Sequence, residues 1–211
     1  MHVHCISLAV NMQSSWVLAR VDQQTRPRHV IADADRLAPI TAGVTAEGYR
    51  RFLERVYGFE AAVESSIQLT PGFGEIVDLR SRVQLRLLKS DLSALGITNF
   101  AKLPRCRAVT LFRTHHEAVG WMYVLDRNVQ LHGVLRRHLE KQIPAQLASA
   151  GAYLLGNDRA AGSRLRELGD ALDSVAKTPE DADRIVVAAH AAFRCQRHWF
   201  AQVMPPRVRA A

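Results

Sequence analysis

Within residues 46–67, Tyr49, Phe52, Leu53, Val56, Tyr57, Ala61 and Val63 recur at short, mostly three- and four-residue steps. That spacing gathers the large apolar side chains on one stripe of a 3.6-residue helix and scatters them over both faces of a strand. The pattern returns downstream, where Leu79, Val83, Leu87, Leu88, Leu92 and Leu95 share a face that Gly96 closes. From Trp16 to about Leu37 the residues Leu18, Val21, Ala32 and Leu37 again read as helical. There, either Thr25 caps a turn with Pro27 in its first positions, or Pro27 kinks a continuous helix. A long helical region is expected over about 107–140, ended or bent by Ile143-Pro144, and two further helices over 163–176 and 179–204. Residues 38–45, 70–74 and 97–104 read as connections, and 151–162 as a loop or a helix end. No stretch sustains period-2 alternation with β-branched enrichment. The predicted class is all-α: a single-domain multi-helix bundle over 16–204, with a loosely ordered arm over 1–15 and a tail over 205–211.

A length of 211 residues suits one domain, and 48% hydrophobic residues can build a substantial core. No apolar run reaches the roughly 18 residues of a membrane span, so no membrane partner is expected. The apolar piece Cys5–Val10 has no basic residue before it and polar residues after it, so no secretory signal is expected either. Cys5, Cys106 and Cys195 are far apart and form no C-x-x-C pair, which indicates neither a zinc site nor a disulfide framework and places the chain in a reducing cytoplasm. A net charge of +8 favours anionic partners such as phosphates or a carboxylate-bearing ligand. The arginines are spread along many helices instead of forming one stripe, which argues against nucleic acid.

Several polar groups carry two readings. His115-His116-Glu117 lacks the i,i+4 histidine pair of a zinc protease and reads as solvated or core-edge. His2, His4 and Cys5 sit on an unanchored terminus; Arg136-Arg137-His138 reads as a basic helix face; and His190, Cys195 and His198 read as packing, because no catalytic acid accompanies them.

One set of residues falls in the order of a known family. Thr25-Arg-Pro-Arg-His29 resembles the first-helix motif of the haem oxygenases, a threonine four residues before the iron-binding histidine. Tyr49-Arg-Arg-Phe-Leu53 with Tyr57-Gly58, then Lys89-Ser-Asp-Leu92 with Leu95-Gly96, resemble the second and third helices. Gly120-Trp-Met-Tyr-Val-Leu-Asp126 is similar to the start of the distal helix in bacterial members, and Ala192-Phe193 with Trp199 resembles the closing helix. Together these cover roughly residues 16–203. The resemblance implies haem as both cofactor and substrate, converted to biliverdin, carbon monoxide and ferrous iron with oxygen and an electron donor such as a ferredoxin or a reductase. It makes His29 the iron ligand, Thr25, Phe193 and Gly133 haem-contacting residues, Arg166 a propionate contact with Arg164 nearby, and Asp126 and Asn128 the catalytic residues of the distal side. Asp33, one helical turn beyond His29, is expected to fix its ring.

The chain departs from the family where the distal helix normally carries glycines. Those positions are Arg127, Leu131 and His132, and Asp170 replaces a second basic position. Three outcomes stay open. A bulge near 129–133 could make room, His132 could ligate iron opposite His29, or Arg127 and Leu131 could plug the pocket. The last two describe a haem- or tetrapyrrole-binding protein without turnover. Oligomeric state is left open.

Overall fold

The computed structural model describes residues 15–41, 43–82 and 84–202. Among the described residues nine α-helices run in order: α1 Trp16–Thr41, α2 Ala46–Gln68, α3 Leu79–Arg82, α4 Leu85–Ala94, α5 His115–Val129, α6 His132–Gln142, α7 Pro144–Ser149, α8 Ala152–Val175 and α9 Pro179–Ala201, with 3₁₀ turns at Phe73–Glu75 and Phe100–Lys102. Among the described residues there is no strand, and no helix is long and apolar enough to cross a membrane. The all-α expectation holds. Of the expected arm over 1–15 only Ser15 is described, and it is anchored: its Oγ accepts the Leu18 N–H (3.0 Å) as an N-cap and donates to Asp173 (2.9 Å). The expected tail over 205–211 lies outside the described residues.

Several boundaries differ from the sequence reading. Helix α1 is continuous through Pro27 and Pro39, so Thr25 is no cap and 38–41 are not loop. The Thr25 hydroxyl donates back to the Val21 carbonyl (2.8 Å), and burial of Val21, Thr25, His29 and Ala32 along one face holds the helix together across the proline. The predicted 79–95 helix is split into α3 and α4. The predicted helix over 107–140 starts at His115, where Thr114 and Glu117 form a capping box, and it breaks at Gln130–Leu131. The segment 151–162, expected as a loop or a helix end, is largely the first half of α8.

The apolar side chains form two clusters. One joins Val17, Val21 and Ala32 of α1 to the end of α2, to α5, to the end of α8 and to α9. The other joins Ile40 to the start of α2, α4, α6, α7 and the start of α8. Gly120 lets α5 and α9 approach closely, since a Cβ there would lie 2.7 Å from Ala188 Cβ and 2.8 Å from the Ile185 carbonyl. The buried polar side chains Arg36, Glu60 and Arg164 fall where α1, α2 and α8 pass from one cluster to the other, Asp126, Asn128 and His132 flank the α5–α6 break, and His29 and Gln196 lie within the first cluster's stretches of α1 and α9.

Candidate functional site

Helix α1 buries Val17, Val21, Thr25, His29, Ala32, Arg36 and Ile40, a three-and-four spacing that points the His29 ring inward. The ring is 4% exposed and its centroid lies 6.0 Å from that of Phe193 on α9. Across from it, Tyr123 and Arg127 of α5 project as an i,i+4 pair. Tyr123 Oη lies 3.3 Å from Thr25 Oγ1 and donates to Asp22 Oδ1 (3.2 Å), while its ring meets Phe193 edge-on. Among the described residues, neither His29 nitrogen has a hydrogen-bond partner, and Arg127 has none at Nε and Nη1. Burial, then the Arg127 charge, hold the His29 pKa below its ordinary 6.5, against the opposing pull of Asp33 and Asp22. The imidazole is neutral at physiological pH.

The expected Asp33–His29 bond is absent. Asp33 Oδ1 instead lies 3.7 Å from Arg36 Nη2, because the buried Arg36 guanidinium is the stronger partner for a carboxylate than a neutral ring. Leu131 does not continue the Arg127 face. The helix ends at Val129, and Leu131 packs against the second apolar cluster. His132 is fully buried with its ring 4.7 Å from that of Tyr153, and the charges that bear on it are Arg36 and Arg164. Those bearing on His29 are Arg127, Asp33, Asp22 and Arg26, so the two imidazoles occupy separate surroundings. Gly133 is buried in α6. Asn128 turns to α9, where its Nδ2 donates to Gln196 Oε1 at 2.8 Å.

Asp126 points to the other side of α5. It accepts a hydrogen bond from Arg82 and lies 3.8 Å from Arg164, whose side chain is buried while Arg166, the predicted propionate contact, is exposed. Arg82 also donates to the Arg164 carbonyl (3.2 Å). Glu60 accepts from Tyr153, and Glu64 accepts from the Gln84 backbone (3.1 Å). Glu60, Glu64, Arg82, Asp126 and Arg164 line a cavity of about 30 Å³, room for roughly two waters. Burial raises all three carboxyls, Glu60 to about 7 and Glu64 to about 8.

Sequence reading did not single out Tyr123, Arg36, Glu60, Glu64, Arg82, Tyr153 or Gln196 as members of this site. Arg36 and Tyr123 have a local signal, since each lies on the buried face of a helix that already carries a candidate. His115 anchors the 70–74 turn through the Pro71 carbonyl (2.7 Å), and His116 of α5 lies 3.2 Å from Asp181 in the first turn of α9.

No family model matches the chain, and no curated protein does. Among solved structures it is similar to the NO- and CO-bound haem oxygenase from Neisseria meningitidis. The TM-score is 0.69 at 19% identity, covering 89% of this chain and 93% of that one. The fold is haem oxygenase-like.

Proposed function

We propose that this chain binds haem against His29 and opens its ring, releasing biliverdin, carbon monoxide and ferrous iron with oxygen and electrons from a donor such as a ferredoxin or a reductase in the cytoplasm. The observation that carries the reading is the His29 ring, buried, neutral and, among the described residues, without a partner at either nitrogen. An orphaned buried polar group costs about 1–3 kcal/mol, and a neutral imidazole is a good ligand for haem iron. The haem oxygenase-like fold and the Thr25–His29 spacing support the same assignment.

The residues present fit the group on the α1 side. His29 would ligate, Thr25 and Phe193 would set the ring's neighbours, and the exposed Arg166 would meet a propionate at the surface. Haem supplies the redox chemistry and is itself the material consumed. The chain's own part is to orient, to exclude water and to handle protons. Phe193 and Tyr123 wall His29 from solvent. Arg82 and Arg164 fix the Asp126 carboxylate, and Glu60 and Glu64 beside it can each hold or release a proton near neutral pH.

A second reading, haem held without turnover, is favoured by Arg127, whose guanidinium bears on His29 from the helix where the family places glycine. Hemin titration of the purified protein, followed by a reductant and oxygen, separates the two. A Soret band that gives way to biliverdin absorption supports the enzyme, and a Soret band that persists supports the holder. Absence of any Soret shift removes both.

A further inference from the structure

The segment between the second 3₁₀ turn and α5 lies against α2 and α9. The Cys106 N–H donates to the Gly58 carbonyl at 3.0 Å. A Cβ at Gly58 would come within 2.4 Å of the Pro104 carbonyl and 2.6 Å of the Trp199 ring, so the close approach of loop and α9 to α2 depends on glycine there. Within this junction Cys106 Sγ lies 3.5 Å from Cys195 Sγ of α9, although the two are 89 positions apart in the chain. Both are free thiols.

The surroundings of the two sulfurs differ. The Arg55 guanidinium sits 3.8 Å over the Trp199 ring with Nε and Nη2 lacking hydrogen-bond partners, and its charge bears on Cys106. The backbone N–H groups of Ala108 and Val109 also face Cys106. A cation and two N–H donors favour negative charge on that sulfur, so Cys195 is the thiol that donates its proton along the contact. This donated bond, more than burial opposes it, lowers the Cys106 thiol to about 7, while the same bond pushes Cys195 up.

We infer that Cys106 and Cys195 form a redox-active dithiol that a hydroperoxide closes to a disulfide, fastening the loop before α5 to α9. The Cys106 thiolate attacks one peroxide oxygen, the O–O bond breaks, and a sulfenic acid and hydroxide result. The Cys195 sulfur then attacks the Cys106 sulfur, and the S–OH bond breaks. The Cys195 proton and the displaced hydroxyl leave as water. The hydroxide from the first step takes up the proton Cys106 gave up as a thiolate, so two thiols are oxidised and one hydrogen peroxide is reduced to two waters. A disulfide needs the sulfurs about 1.5 Å closer than they now stand. Cys106 is 3% exposed and Cys195 only partly open, so a two-oxygen oxidant fits where a peptide disulfide does not. Cys195 adjoins Gln196 and lies two residues from Phe193, so the bond would fix the part of α9 that faces the candidate site. The inference is independent of whether haem binds.

The test treats the whole protein with hydrogen peroxide, alkylates what remains, and maps the peptides by mass spectrometry. The expected result is loss of two of the three titratable thiols, a linked Cys106–Cys195 peptide lighter by two hydrogens, and reversal by dithiothreitol. Glutathione disulfide, a peptide disulfide too large for the junction, should leave both thiols unlinked. In Cys195→Ser, peroxide should leave a Cys106 sulfenic acid that dimedone traps. Three unreacted thiols, a link through Cys5, or dimedone trapping at Cys195 in Cys106→Ser would each overturn it. The peptide map needs no variant, so a substitution that fails to fold leaves the test intact.

Discussion

Asp126 and Arg127 are neighbours in α5, yet they face two unlike regions. On the Asp126 side each carboxyl has a partner, Asp126 with Arg82 and Arg164, Glu60 with the Tyr153 hydroxyl and Glu64 with the Gln84 N–H, and only Arg82 Nε and Glu64 Oε2 lack one among the described residues. On the Arg127 side, a neutral imidazole and a guanidinium confront each other with four nitrogens unpartnered. Burying polar atoms without partners is costly, so the first region, where each charged group has at least one partner, reads as a device the chain largely completes for itself. The second is chemically incomplete until something with acceptor or Lewis-acid character enters it. The contrast separates what holds the bundle together from what the bundle holds.

The sharpest way to break that contrast is to remove one partner on the completed side. Arg82→Ala leaves the Asp126 carboxylate buried with only the more distant Arg164, and unmatched buried charges cost about 3–5 kcal/mol. Denaturant unfolding at pH 7 should show that loss. His29→Ala, which removes a group already lacking partners, should cost less. Equal losses would mean the two regions are not different in kind.

The ranking reverses for ligand binding. His29→Ala should weaken hemin binding by more than the roughly 10–100-fold that loss of an outer-shell partner costs, and abolish the Soret shift at micromolar protein. Arg82→Ala, where it folds, should retain the shift. Hemin bound equally well by His29→Ala would move the ligand elsewhere and detach the fold from its proposed use.

Much of this arrangement could be read in the chain before folding, and the reason is locality. The helices show because apolar residues repeat within one turn, and Thr25, His29 and Asp33 show because i,i+4 places them on one face. The Asp126 region is different in kind. Arg82 and Asp126 are 44 positions apart, and Glu60 and Tyr153 are 93 apart. Nothing in either neighbourhood announces the other. The start of α5 is an intermediate case. Thr114-His-His-Glu117 is a capping-box pattern, but Val109, Leu111 and Phe112 before it extend the apolar run and hide the boundary. The break at Gln130–Leu131 has no proline or glycine to mark it, which is why Leu131 was expected beside Arg127.

A further effect sharpens the comparison through pH. Glu64 is raised to about 8 in the folded chain, from an ordinary 4.5. The folded state therefore binds the proton more tightly, and the stability Glu64 contributes is full below pH 4.5 and lost as pH climbs through 8. His29 and His132 run the other way. Their folded values lie below 6.5, so they cost stability as pH falls under 6.5, when the unfolded chain takes up protons the folded chain resists. Glu64→Gln should thus flatten the decline above pH 4.5, gaining on the order of 4 kcal/mol at pH 8.5 relative to pH 5, and leave the limb below pH 4.5 alone. Chemical denaturation at the two pH values checks it, and an unchanged alkaline slope would place the Glu64 carboxyl in water instead of in the protein.

The finest test lies at Arg127 itself. Its charge is the second cause, after burial, of the lowered His29 pKa. Arg127→Ala should therefore move the His29 titration up toward 6.5, followed by the imidazole resonances in NMR, and should leave His132 where it is, because Arg127 is not among the charges that act on His132. A shift in both rings would show that they share one surrounding and that the separation drawn between them is false. Arg127→Gly then asks the functional question. If the guanidinium fills space the family leaves open, the glycine variant gains turnover of bound haem over the parent, despite the roughly 1 kcal/mol that glycine costs a helix interior. If hemin affinity rises but no biliverdin forms, the side chain was an obstacle to binding and the chain is a holder, with Asp126 and its arginines serving the fold alone.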